Sequence, residues 1–74
     1  MNVRVKLFSS LREGRFEDQI LEFPEGTRVA DIVASVGIPE AQVIIAFVNS
    51  RHALPTDAVK DGDILGLFPP VGGG

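Results

Sequence analysis

Few side chains in this 74-residue sequence are equipped for chemistry. There is no cysteine and a single histidine, His52, which leaves no thiol nucleophile, no disulfide and no structural metal site. His52 could in principle serve as a general base. No serine or carboxylate stands at an informative spacing from it, and an incidental surface histidine is the plainer reading. Asp61 and Asp63 flank Gly62 as in many turns and fall short of a calcium ligand set. Gly26 and the final glycines lack the pattern and the following lysine of a phosphate loop. What remains is main chain. The sequence ends Pro69-Pro70-Val71-Gly72-Gly73-Gly74, and that segment can do something the side chains cannot.

Two consecutive prolines lock φ and cannot continue a central strand, so they predict a stiff, extended exit. Three glycines then strip the end of side chains. Six extended residues reach about 20 Å at most. A backbone carboxylate is a poor electrophile, but it becomes useful once an enzyme adenylates it and a sulfur nucleophile displaces the adenylate. That requires threading the chain end into another protein's active site, and a backbone without Cβ atoms passes a narrow channel and approaches a ligand closely. The reacting group would be the carboxylate of Gly74, with Gly72 and Gly73 as the threading segment and Pro69, Pro70 and Val71 as the stalk. The ordinary alternative is a floppy glycine-rich terminus with no task. The order of a folded domain, a diproline stalk and then glycines favours a task.

The elements that must hold this tail are readable. Val3, Val5 and Leu7 alternate with Arg4, Lys6 and Phe8, the period of a half-buried strand. Ser9 to Arg15 reads as a polar turn region, and Phe16 to Phe23 as the returning strand of a hairpin. After Pro24-Glu25-Gly26, Thr27 offers a hydroxyl for an N-cap. Val29, Ile32, Val33 and Val36 fall on one helical stripe. Gly37 supplies a left-handed C′ residue, Ile38 packs back on the last turn, and Pro39 forbids continuation. The apolar run Val43 to Val48 predicts a well-buried strand. Asn49 to His52 turns the chain, a short edge strand is expected between Leu54 and Val59, and Asp61-Gly62-Asp63 is a turn. Ile64 to Phe68 is the last strand, with Gly66 suiting close approach by a neighbour.

A hairpin, a helix crossing one face, then further strands give an α+β mixed sheet of four to five strands with one main helix packed on it. Setting the last strand beside the first closes it as a β-grasp, or ubiquitin-like, fold. The domain is expected over 1–68, with a flexible C-terminal tail over 69–74.

Composition bounds the rest. One core is all that this length allows, and a chain so short buries only about 60% of the surface it exposes when unfolded. The apolar fraction of 45% must carry the fold without staples, through a core of about a dozen side chains. Five arginines and two lysines are scattered against ten acids, for a net charge of −3. That distribution lacks the footprint of a nucleic-acid binder. It suits a basic docking surface on a protein partner, or plain solubility. No apolar run of about 18 residues exists to span a membrane, and no signal-peptide core opens the sequence. A soluble cytoplasmic protein is expected.

Phe68-Pro69-Pro70-Val71-Gly72-Gly73-Gly74, together with Asp61-Gly62-Asp63, Phe47-Val48-Asn49 and Phe8-Ser9-Ser10-Leu11-Arg12-Glu13, resembles the MoaD/ThiS family of sulfur-carrier proteins over essentially the whole chain. The Phe-Pro-Pro-Val stalk is similar to the MoaD branch, the small subunit of molybdopterin synthase. The resemblance implies a carrier and co-substrate, not an enzyme, that binds no cofactor of its own. An ATP-consuming, ubiquitin-activating-type adenylyltransferase would adenylate Gly74, and sulfur transfer would make a C-terminal thiocarboxylate. The larger catalytic subunit of molybdopterin synthase, or an equivalent sulfur-acceptor enzyme, would be the second partner, and the free carrier would be a monomer. A ThiS-like route to thiamin thiazole, or conjugation to proteins through Gly74 as in ubiquitin, are the alternatives. Gly72 and His52 depart from the family's usual pattern.

The resemblance also points to Phe8 and Phe68 as docking residues on the sheet face away from the helix. Burial of one or both in the core is the competing reading. Arg12 and Glu13 could contact a partner at its rim or simply lie in a solvated loop.

Overall fold

The computed structural model describes residues 1–70. Val71, Gly72, Gly73 and Gly74, the outer part of the expected tail, lie outside the described residues. Five strands form one mixed sheet: β1 (Asn2–Leu7), β2 (Asp18–Glu22), β3 (Ile45–Val48), β4 (Arg51–Ala53) and β5 (Ile64–Phe68), in the order β2-β1-β5-β3-β4. β1 runs antiparallel to β2 and parallel to β5, so the last strand lies beside the first as expected. β3 is antiparallel to both β5 and β4. With the single helix α1 (Val29–Ser35), this is the β-grasp, ubiquitin-like fold.

Strand alternation sorts the residues onto two faces. Val3, Val5, Leu7, Leu65, Leu67, Ala46 and Ala53 point to the helix side and are buried with Val29, Ile32 and Ile38. Twelve apolar side chains make up the buried core of the described residues. No buried side-chain polar atom among them lacks a partner, which suits a domain with little stability to spare.

The helix ends as its sequence dictates. Gly37 takes φ +85°, the N–H of Ile38 reaches the carbonyl of Val33 at 3.2 Å and that of Gly37 reaches Ala34 at 3.1 Å. These two bonds are a Schellman closure, and Ile38 is buried behind it.

Its start is displaced by one residue from expectation. Arg28 is the N-cap, and the Asp31 carboxylate accepts its N–H at 2.9 Å. The Thr27 hydroxyl donates instead to the Pro24 carbonyl at 2.7 Å. Thr27 is drawn outward because its own carbonyl accepts the Val59 N–H at 3.0 Å, beside an Arg28–Ala58 bridge.

Further expectations need correction. The strand predicted from Val43 starts at Ile45, and Val43 is 68% exposed. Arg51 and His52, read as turn, are β4; the turn is Asn49-Ser50, with φ of 50° and 70°. Two consecutive positive φ values are the geometry of a two-residue I′ hairpin, which pulls the edge strand forward of Leu54–Val59. The polar stretch after β1 contains a 3-10 helix, Ser9–Arg12, which buries Leu11. β2 is also shorter than Phe16–Phe23, since Phe16 packs on the core from the loop before it.

Candidate functional site

β5 delivers the chain to the tail. Leu65 and Leu67 anchor it in the core, so Ile64, Gly66 and Phe68 face the opposite, helix-free side. The parallel register sets Leu7 against Leu67, and the next N–H, that of Phe8, donates to the Leu67 carbonyl at 3.1 Å. Phe8 and Phe68 therefore emerge side by side. Their rings stack at 4.2 Å between centroids and 6° between planes. Both are half-buried and neither belongs to the core, which removes the core reading for the pair.

Gly66 explains how the stack fits. A Cβ there would sit 3.4 Å from both Phe8 and Phe68 ring atoms, so the two rings lie on a strip of bare main chain, the close approach its sequence context suggested.

Sequence reasoning missed the rest of this surface. Phe47 pairs with Gly66 across β3 and β5 and with His52 across β3 and β4. Its ring meets Phe68 edge-on at 5.6 Å and His52 edge-on at 5.8 Å, a geometry favoured by aromatic quadrupoles. His52 extends the aromatic cluster toward the sheet edge. The available signal was the alternation of Ile45 and Phe47 inside an apolar run, legible only once the register is known.

Arg12 belongs to the same patch. Its Nε donates to the Leu7 carbonyl at 2.7 Å, and its guanidinium carbon lies 5.6 Å from the Phe8 ring centroid. It also stands 3.5 Å from Glu17. Glu13 caps the 3-10 helix, its backbone N–H donating to the Ser10 carbonyl. The other half of the open face is charged, with Arg4 and Lys6 on β1 and Asp18 and Glu22 on β2.

Arg4 holds Asp18 through two hydrogen bonds of 2.9 and 2.7 Å. That hydrogen bond is the chief cause lowering the Asp18 carboxyl below its ordinary 3.8. A carboxyl whose folded pKa is depressed stabilises the fold above its unfolded value, and the contribution is lost as pH falls through the folded value. Urea midpoints of wild type and Asp18→Asn should therefore differ at neutral pH and converge well below pH 3.8. The pair is solvent-exposed, so the difference should be small and should shrink with salt.

The two motifs Phe47-Val48-Asn49 and Asp61-Gly62-Asp63 meet each other. Asn49 Oδ1 accepts the Ile64 N–H and its Nδ2 donates to Asp63 Oδ1, both at 2.9 Å. Asp63 Oδ2 accepts the Lys60 N–H at 2.7 Å, and Asp61 Oδ1 accepts the Asn2 N–H at 2.7 Å. Together they pin the start of β5 between β1 and the β3–β4 hairpin. Asn49→Ala removes two of these bonds and a residue suited to φ 50°, and should cost about 1–3 kcal/mol in urea unfolding.

Among the described residues no group of histidine and acidic side chains could hold a metal ion, and no helix is long and apolar enough to cross a membrane. Pro69 is half-buried and Pro70 exposed immediately beyond the stacked pair. The arrangement presents an aromatic cluster, Phe8, Phe47 and Phe68, on the helix-free face just before Pro69.

The ThiS family model matches residues 5–74, and the chain belongs to that family, the MoaD/ThiS group of ubiquitin-like sulfur carriers. A Pyrococcus furiosus protein assigned provisionally as molybdopterin converting factor, subunit 1, is 31% identical with a TM-score of 0.79, covering 96% of this chain and 99% of that one. SAMP1 from Haloferax volcanii is 27% identical with a TM-score of 0.78, covering all of both chains. A protein from Helicobacter pylori, solved in a complex of subunits 1 and 2 of molybdopterin-converting factor, is 25% identical with a TM-score of 0.68, again over both full lengths.

Proposed function

We propose that this protein carries sulfur on the C-terminal carboxylate of Gly74 and is consumed and recharged without being a catalyst itself. A carboxylate oxygen of Gly74 attacks the α-phosphorus of ATP in an activating enzyme of the ubiquitin-activating type, and pyrophosphate leaves. A sulfur nucleophile at the oxidation level of hydrosulfide then adds to the acyl carbon and AMP leaves, giving a thiocarboxylate. The carrier's part is to present the end: Gly72 and Gly73 thread the partner's channel, while Pro69, Pro70 and Val71 hold them away from the domain. ATP is bound by the partner, and the carrier needs no cofactor of its own.

The thiocarboxylate donates its sulfur to a molybdopterin precursor held by a larger catalytic subunit. That subunit covers the Phe8–Phe68 surface, where a central aromatic cluster supplies the anchors that dominate interfaces. The observation that supports the reading most is the aromatic stack immediately before Pro69-Pro70, since the proposed docking surface and the proposed threading segment then follow one another along the chain. The likeness to a molybdopterin converting factor subunit over nearly the whole chain favours this sulfur acceptor. The equal likeness in length and fold to a small archaeal modifier favours a second use, conjugation of Gly74 to lysines on proteins.

ATP–pyrophosphate exchange tests the activation step. With the host's activating enzyme, the intact chain should support exchange and a chain lacking Gly74 should not. Exchange that persists without Gly74 would place the acyl group elsewhere and overturn the reading.

A further inference from the structure

The helix-covered side of the molecule carries an apolar groove separate from the aromatic patch. It has a volume of about 600 Å³ and runs between α1 and the chain approaching β3, lined by Ala30, Val33, Ala34, Val43, Ile44 and Pro55. Val43 on its rim is 68% exposed, and Leu54, next to Pro55, is 55% exposed. Both are large apolar residues that the fold leaves in water. An apolar run that reads as core and is then left uncovered is a local rule broken without gain to the fold, which marks a site of use.

Charge says what covers it. The charged residues lining the groove are Asp31 and Glu40, both acids. Asp31 gives one oxygen to the Arg28 N–H, and neither acid has a cation in ion-pair range among the described residues. The guanidinium of Arg28, the N-cap of α1, donates to the Thr56 carbonyl at 3.2 Å. A second copy of this chain, at net −3, would bring further acids, and the chain's own C-terminal carboxylate would meet like charge.

We infer that this groove binds a segment of a partner protein with apolar anchors flanked by lysine or arginine. The apolar anchors fill the trough as in other groove interactions, and the basic flanks meet Asp31 and Glu40. The surface lies on the opposite side of the sheet from the aromatic patch, so the two can be occupied together, whichever reading of the tail holds.

A random peptide library displayed on phage, panned against the full chain, tests this. Enriched peptides should combine apolar anchors with basic flanks and should bind at least tenfold more weakly to Val43→Asp and to Glu40→Lys. They should bind Ile20→Asp, on the open face, as well as wild type, and amide shifts in NMR titrations should map to α1 and residues 40–44. Enrichment of acidic or uncharged peptides, binding indifferent to Val43→Asp, a chain that dimerises through this face, affinity that rises tenfold once residues 71–74 are removed, or no enrichment would each overturn it.

Discussion

Deleting Gly74, or making Gly73→Trp, should abolish sulfur charging while leaving the domain folded. Loss of Gly74 removes the acyl group placed to receive AMP, and the residue that replaces it as terminus falls one residue, about 3.5 Å, short. A misplacement of only 1 Å can cost about a hundredfold in rate. Gly73→Trp keeps the length but introduces a bulky side chain where a channel must admit bare backbone. Neither change touches the core, whose buried residues all precede Phe68. Substitutions away from packed features usually stay within about 0.5 kcal/mol, so Tm should move by no more than about 4 °C. Thiocarboxylate formation in a reconstituted reaction, followed beside calorimetry, separates the two effects. Charging that survives in either variant would detach the function from the tail.

Arg15→Met should produce the largest loss of stability among single surface substitutions. The Arg15 guanidinium donates to the carbonyls of Leu11, Val36 and Gly37 at 3.1, 3.1 and 2.9 Å. Its charge thus ties the 3-10 helix after β1 to the C-terminus of α1, where orphan carbonyls and the helix dipole both favour a cation. Hydrogen bonds to charged groups contribute about 1.5–3 kcal/mol each when buried. Arg15 is half-buried, so the three together are worth about 2–4 kcal/mol. A domain of this length has about 4–11 kcal/mol in total. At about 4–8 °C per kcal/mol, Tm should fall by at least about 8 °C. Methionine keeps the apolar stem and isolates the guanidinium, and Arg15→Lys should recover only part of the loss because a point charge cannot reach three carbonyls. A Tm within about 3 °C of wild type would show that water replaces the guanidinium at these carbonyls without loss.

Local signals were legible where the deciding contacts are local. The stripe Val29, Ile32, Val33, Val36 and the Gly37-Ile38 closure belong to one stretch of chain, and α1 forms where its spacing says. The alternation of Val3, Val5 and Leu7 likewise gives β1 and its buried face. The misread segments depend on partners far away in sequence. Thr27 loses the cap because Val59 takes its carbonyl. Val43 and Ile44 carry strand-like residues, but pairing begins only at Ile45, opposite Phe68. The I′ turn at Asn49-Ser50 lacks the glycine that usually announces one, and Asn49 is held in it by contacts to Asp63 and Ile64.

The candidate site divides in the same way. The prolines and glycines of 69–74 are read from composition alone, and Val71 to Gly74 lie outside the described residues. The pairing of Phe8 with Phe68 needed only the inference that β1 and β5 are parallel neighbours. Phe47 and His52 could not be placed without the registers of β3 with β5 and β4, which come from burial and not from motif. Gly66 is intermediate: its type signalled a close approach, and the structure supplied the two rings that approach.

Carriage of sulfur by the terminal carboxylate is tested most directly by the intact mass of the protein recovered from its native host during active sulfur metabolism. The account predicts a species heavier than the sequence mass by about 16 Da, one oxygen replaced by sulfur, absent when Gly74 is deleted. A chain found only at its unmodified mass, with the activating enzyme present and ATP abundant, would contradict it.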